Sequence, residues 1–235
     1  TNNNNTLRNR LDKTTRGIMA SFAGPNLTTD KLILCLDAAN TNSYPGSGTT
    51  WTDMSGKENH GTLTNGPTFS SDNKGSIVFD GSNDYVNATP ITKPASCTFS
   101  CWAKSTDVST VMLFNAGAHS AGPDLFFHSG IISWNTWDAN NNPFGNVPSS
   151  ATDGKYHNYV VVNDSSSNTK LYYDTELLGT ATYRSATGTN TLYIGGTTHS
   201  YQWSGSISSF MIYDKLLTES EILQNYNSHK GRFGL

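Results

Sequence analysis

The chain has 235 residues, of which 14% are charged and 11% aromatic, and its formal net charge is −3. That length suits a single domain with a core of its own, needing neither metal nor disulfide. The charge balance gives no global positive field for nucleic acid, and no apolar run reaches the ~18 residues of a membrane span. The N-terminal stretch has no apolar signal-peptide core, and the sequence begins at Thr1 rather than Met, as after loss of a start Met or a longer leader.

Residues 1–28 differ in character from the rest. An Asn tract leads into Arg8, Arg10, Lys13 and Arg16, followed by an apolar patch at Ile18, Met19 and Phe22. Two readings stand: a loose arm, or an arm that becomes ordered on a partner subunit. In the second, Arg8, Arg10, Lys13 and Arg16 meet an acidic surface and Phe22 supplies apolar anchoring.

From Lys31 onward, short apolar or alternating runs read as strands. They fall at Leu32–Leu36, Ser76–Phe79, Thr98–Ala103, Val111–Asn115, Leu125–His128, Ile131–Trp134, His157–Asn163, Thr169–Asp174, Thr180–Tyr183, Thr191–Ile194 and Ile207–Tyr213. Ser129-Gly130 reads as a tight hairpin turn. Spacing near ten residues with polar turns between marks a sandwich or barrel, and nothing alternates strand with helix. One helix is signalled. Thr218-Glu219-Ser220-Glu221 forms a capping box, Ile222, Leu223 and Tyr226 share a face, and Gly231 offers a stop. This helix is expected to pack on the end of the sandwich.

Cys97 and Cys101 share one strand face about 13 Å apart, too far to bridge. With Cys35 they read as buried free thiols, as in a reducing compartment.

Several segments in order resemble the concanavalin A-like lectin/glucanase superfamily, in particular its laminin-G-like, pentraxin-like domains. Leu34-Cys35-Leu36-Asp37 is similar to the opening strand, and the stretch from Trp51 through Asp53, Ser55, Gly56 and Asn59 to Gly61 resembles the W-x-D-x-S-G-x-x-N-x-G turn. Phe79-Asp80-Gly81 through Asp84-Tyr85-Val86 resembles F-D-G-x-x-D-Y-V. Further matches are Phe99 to Lys104, Gly154 to Tyr159, Lys170 to Asp174, Leu192 to Gly196, and Gly205 through Tyr213 to Ile222. Thr175 departs from the pattern, standing where the family places Gly. The resemblance implies an all-β, antiparallel two-sheet jelly-roll sandwich over residues 29–235 with one short C-terminal helix. The tail from Lys230 to Leu235 is similar to tails on such domains in bacteriophage virion proteins.

The superfamily includes glucanases, whose retaining mechanism uses two carboxylates about 5 Å apart. This chain has four Glu and none in an E-x-D-x-E spacing, so the reading is non-enzymatic. No cofactor is expected beyond a structural calcium, for which Asp80 and Asp84 are candidates; the alternative is a turn whose Asp side chains bond their own backbone. A pentraxin-like calcium site near Asp124 lacks its second acidic cluster, since Gly195 to Ser204 holds no acid. His157 reads as a sheet residue. For a glycan ligand, Trp134, Trp137, Asp138 and Asn140 in one loop, and Tyr201 and Trp203 in another, offer aromatic faces together with amides or a carboxylate. The expected function is a virion surface decoration or fibre-type protein, folded in a host cytoplasm. Residues 1–28 would hold it to other subunits while the jelly roll faces outward toward host or environmental glycans. A free-standing or cell-surface lectin module and a glycoside hydrolase are the alternatives, and homo-oligomerisation stays open.

Overall fold

The computed structural model of the chain describes residues 26–88, 90–108, 110–117, 124–128, 130–135, 143–185, 188–190, 192–198 and 201–235. Its strands, in chain order, are β1 (Leu32–Asp37), β2 (Thr50–Trp51), β3 (Gly61–Thr64), β4 (Thr68–Ser70), β5 (Ser76–Asp80), β6 (Tyr85–Asn87), β7 (Ile91–Lys93), β8 (Cys97–Ser105) and β9 (Thr110–Asn115). They continue with β10 (Asp124–His128), β11 (Ile131–Asn135), β12 (Pro143–Asn146), β13 (His157–Asn163), β14 (Asn168–Tyr173), β15 (Glu176–Thr182), β16 (Gly188–Asn190), β17 (Tyr193–Ile194) and β18 (Ser204–Tyr213). The helix α1 (Glu219–His229) closes the chain with a 3₁₀ turn, Lys230–Arg232.

Two antiparallel sheets form the sandwich. The first runs β15-β14-β13-β8-β18-β5-β4, with β1 paired to the second half of β18. The second runs β12-β11-β10-β9-β17-β6-β3-β2. The strands β7 and β16 pair apart from both. Period-two alternation decides which face each side chain takes. Phe99, Cys101, Tyr159, Val161, Phe210 and Ile212 of the first sheet meet Phe114, Leu125, Phe127, Ile132, Trp134 and Ile194 of the second in one apolar core. The three cysteines are free and buried, and burial raises all three thiol pKa values.

The segments that carried the resemblance have mechanical reasons. In the Trp51–Gly61 turn, Asp53 accepts backbone N–H groups from Cys35 (2.8 Å), Ser55 (2.8 Å) and Asn59 (3.0 Å), and Asn59 donates to the Ile33 carbonyl at 2.7 Å. One carboxylate thus ties the loop to β1. Gly195 has φ of +78°, and a Cβ there would lie 2.4 Å from the Phe79 ring, so only glycine fits between β17 and β5.

The helix differs from expectation in three ways. The capping box forms as read: Thr218 Oγ1 accepts the Glu221 N–H and Glu221 accepts the Thr218 N–H at 3.0 Å. The helix packs on the outer face of the first sheet rather than on the sandwich end, with Leu217 and Ile222 against Val160, Val162, Tyr172, Met211 and Tyr213. Leu223 does not share that face; it is 48% exposed, one residue and ~100° round from Ile222. Gly231 does not stop the helix in a left-handed cap; instead the chain tightens into the 3₁₀ turn.

The β14–β15 hairpin begins four residues earlier than the expected Thr180. Its two-residue turn puts Asp174 at φ +47° and Thr175 at φ +79°, the conformation of a type I′ turn. A β-branched residue with positive φ is strained by about 1–2 kcal/mol. Thr175→Gly should therefore stabilise the domain by about 1 kcal/mol, read as a higher urea midpoint with unchanged m-value; an unchanged or lower midpoint would refute the strain.

Candidate functional site

The two outer faces of the sandwich differ. On the first sheet, α1 and the tail cover the strands. Asp37, Ser209, Trp102 and Asn158 lie side by side in register across β1, β18, β8 and β13. Over them, Arg232 binds Asp37 through both terminal nitrogens (2.7 and 2.6 Å), and the Trp102 ring stacks with Tyr226 (5.1 Å) and Phe233 (4.6 Å). This face is structural.

The outer face of the second sheet carries its own small apolar cluster, Met112, Phe126 and Tyr201, which includes no residue of α1. The sheet's outward positions form a row in register, Thr62, Asn87, Tyr193, Asn115 and Asp124, across β3, β6, β17, β9 and β10. The row continues in register to Asn135 of β11. Neighbouring strands stand about 4.8 Å apart, so the row brings amides, a phenol and a carboxyl group into one line. Asn115 donates its side-chain amide to Asp124. Both are buried, and burial raises the Asp124 pKa well above the usual carboxylate range although the Asn115 bond opposes this. Tyr85 meets Tyr193 edge to face at 5.5 Å, and both rings are half-buried. Beside this row, Tyr201 packs on Met112 and Phe126, meeting the Phe126 ring edge to face at 5.0 Å, and His128 stacks with Phe126 at 6.1 Å. Phe126 lies opposite Ser133, a buried residue whose hydroxyl has no hydrogen-bond partner.

This geometry re-sorts the sequence candidates. Tyr201 lies on the outer face, held at φ +66° with its carbonyl accepting the Met112 N–H at 2.8 Å. Trp134 and Trp203, expected to bind a ligand, are instead fully buried core residues. Trp134 alternates with the outward Ser133, packs against Phe99 and Phe114, and donates its indole N–H to Asn163 at 3.2 Å. Trp203 packs against Phe127. Neither presents a ring face to a ligand. Trp137, Asp138 and Asn140 lie outside the described residues, as do Arg8, Arg10, Lys13, Arg16 and Phe22. Asn87, Tyr193 and Tyr85 were missed. The signal was present, since Tyr85 and Tyr193 each precede an inward Val86 or Ile194, but the motifs around them were read only as fold markers.

Asp80 and Asp84 share one turn. Asp80 Oδ1 accepts the Ser82 N–H at 2.8 Å and Asp84 Oδ2 accepts the Asp80 N–H at 3.1 Å. Two carboxylates already engaged with backbone amides fall short of the six or more oxygens that calcium gathers. Among the described residues, no group of three or more His, Cys, Asp or Glu could hold a metal ion.

His157 opens β13, as its sequence position suggests, but in charged company. Its Nδ1 meets Asp174 at 2.6 Å and its Nε2 meets Asp153 at 3.2 Å. Burial lowers its pKa, but the two carboxylates outweigh burial and raise it overall. Both ring nitrogens are thus engaged, and Asp174 also accepts the Asn158 N–H at 2.8 Å. The cluster ties the turn before β13 to the β14–β15 hairpin.

Comparison with solved structures agrees with this architecture. The binding domain of botulinum neurotoxin serotype D aligns with TM-score 0.63 at 19% identity, covering 84% of this chain and 52% of that one. The binding domain of Paraclostridial Mosquitocidal Protein 1 aligns with TM-score 0.64 at 14% identity, covering 85% and 52%. Domain 4 of a GH43 extracellular arabinanase from Geobacillus stearothermophilus, solved with arabinotriose, aligns with TM-score 0.62 at 16% identity, covering 84% and 98%. The chain thus spans about half the length of the two toxin domains. No curated protein sequence matches it significantly. The laminin-G-like family model matches residues 80–223, from the Asp80 turn to the middle of α1. With more than half its length matched and both sheets in place, the chain belongs to the concanavalin A-like lectin/glucanases superfamily.

Proposed function

We propose that the chain is a non-enzymatic glycan-binding domain whose ligand lies along the outer face of the second sheet. The observation that carries this reading is the in-register pair of Asn87 and Tyr193, flanked by the half-buried rings of Tyr85 and Tyr201 and backed by the buried Asn115–Asp124 pair. Aromatic faces take the apolar C–H surface of a sugar, and amides pair with its hydroxyls as both donor and acceptor. Asp124 is the one carboxylate on the strands of this sheet, which favours holding a glycan over cleaving it, since cleavage uses a pair. The arabinotriose in the arabinanase domain supports the reading by likeness of fold.

Tyr193→Ala and Tyr201→Ala should each weaken binding about tenfold, the effect of ~1.4 kcal/mol, with the native fluorescence retained. A wild-type chain that bound nothing on a broad glycan array would refute the reading.

A finer part concerns display. Asn26 accepts from Gln224 at 2.6 Å and the Thr28 N–H donates to Asn225 at 2.8 Å, so the chain enters along α1. The C-terminal turn lies on the same layer. Both ends of the described domain are therefore opposite the glycan face, as suits a domain tethered by its N-terminal arm to a virion surface. Deleting residues 1–25, which spares the contacts of Asn26 and Thr28, should abolish particle association and leave glycan binding intact. Normal attachment of the truncated protein would end the virion reading alone.

A further inference from the structure

We infer that the outer face of the second sheet selects uncharged glycans and excludes anionic ones such as uronate, sulfated or sialylated chains; the inference rests on the glycan-binding reading above and adds the chemical class of ligand.

The argument is the distribution of charge. The eight strands of the second sheet contain no Lys, no Arg and no Glu. In sequence, no Lys or Arg occurs between Lys104 and Lys155, the span that supplies β9 to β12, nor between Arg184 and Lys215, which supplies β17. Four of the described cations are engaged on the first-sheet side. Lys104 sits over Tyr156, Lys215 pairs with Glu221 at 2.7 Å, Lys230 lies over Tyr226, and Arg232 is buried against Asp37.

Recognition of a carboxylate or sulfate draws on Arg or Lys, whose charge-assisted hydrogen bonds are about twice as strong as neutral ones. An anionic sugar on this sheet would lose its hydration and meet amides, hydroxyls and phenols, with no Lys or Arg on the strands of the sheet to pair with it. Burying a charge without a partner costs several kcal/mol, whereas a neutral sugar exchanges hydrogen bonds with water at little net loss. The chain's net charge of −3 adds a weak long-range repulsion of the same sign. Asn87 and Tyr193 at the accessible end of the row match this selection, because both bond hydroxyls without contributing charge.

The test is affinity electrophoresis of the full chain through gels holding one polysaccharide each, at pH 8, where ordinary imidazoles are neutral. The neutral panel is arabinan, xylan, β-glucan and mannan; the anionic panel is polygalacturonate, alginate and heparin, each at low and at physiological salt. At least one neutral polymer should retard the protein, with retardation insensitive to salt and reduced by Tyr193→Ala. The anionic polymers should leave its mobility unchanged at both salts. Salt-sensitive retardation by an anionic polymer would overturn the charge selection and leave glycan binding standing. Retardation by neither panel would overturn both.

Discussion

Replacing Arg232 with methionine should lower the stability of the domain by about 3–5 kcal/mol, the usual cost of leaving one member of a buried ion pair behind. Asp37 is buried on the outer face of β1 and keeps its low pKa because Arg232 binds it, against the upward push of burial. The guanidinium reaches it through Nη1 and Nη2, while the Arg232 carbonyl accepts from Asn73 at 3.1 Å. Without the cation, the Asp37 carboxylate retains the Ala39 N–H at 3.0 Å but no countercharge. Arg232 also sets the course of the tail, whose Phe233 stacks on Trp102 and, at 4.4 Å, on Tyr156. The measurement is urea unfolding of wild type, Arg232→Met, Asp37→Leu and the double variant. Each single change should shift the midpoint down strongly. The double variant should recover much of the loss, because replacing both members of a buried pair by apolar groups is often nearly neutral. A loss under ~1 kcal/mol in Arg232→Met would mean that the pair is not the lock on this face.

The same contacts alter how the C-terminal residues are read. They have a structural reason: Arg232 and Phe233 close the outer face of the first sheet.

Much of the fold was legible because period-two alternation and turn chemistry act locally. The His157–Asn163 strand matched residue for residue because seven consecutive positions are apolar or tightly hydrogen-bonded on both faces. The short strands β2, β4, β7 and β16 were not legible. Two or three residues carry no period, and for β7 and β16 the partner also lies far along the chain, Ile91 opposite Asn190. The placement of α1 was missed for a related reason. Its apolar residues show that it has a buried face, but the surface that receives it is assembled from β1, β13, β14 and β18.

The candidate site was harder to read. Tryptophans near strand ends suggested sugar platforms, yet Trp134 and Trp203 are large enough to be drawn wholly into the core. The half-buried tyrosines of the second sheet are positioned by pairing across β6, β17 and β9, which joins residues 87, 193 and 115. No local spacing encodes that line.

Acid should destabilise the domain chiefly through His229, with a loss of about 3 kcal/mol between pH 6.5 and 4. Burial lowers the His229 pKa to about 4, the nearby Arg232 cation adds to the effect, and Asp37 opposes it only partly. The ring stacks above Trp102 at 6.5 Å, with Nδ1 facing the Asn225 carbonyl at 3.1 Å and the Ser228 hydroxyl at 2.7 Å. The sign follows from proton counting. Above pH 6.5 both folded and unfolded chains hold this imidazole neutral. Below it, the unfolded chain binds a proton and the folded chain does not, so stability falls until the folded value is reached, at up to ~1.4 kcal/mol per pH unit. His157 acts in the opposite sense. Its pKa is raised in the folded state by Asp174 and Asp153 against burial, so its contribution is fully present below pH 6.5 and is lost as pH rises through the folded value. In wild type the larger His229 effect should dominate. In His229→Gln, which keeps a polar side chain without a titrating ring, the fall between pH 6.5 and 4.5 should flatten. The His157 contribution should then emerge as a slight gain in stability from pH 8 to 6. Urea midpoints measured across that range in both proteins decide it; an identical slope in the variant would show that the acid sensitivity has another source.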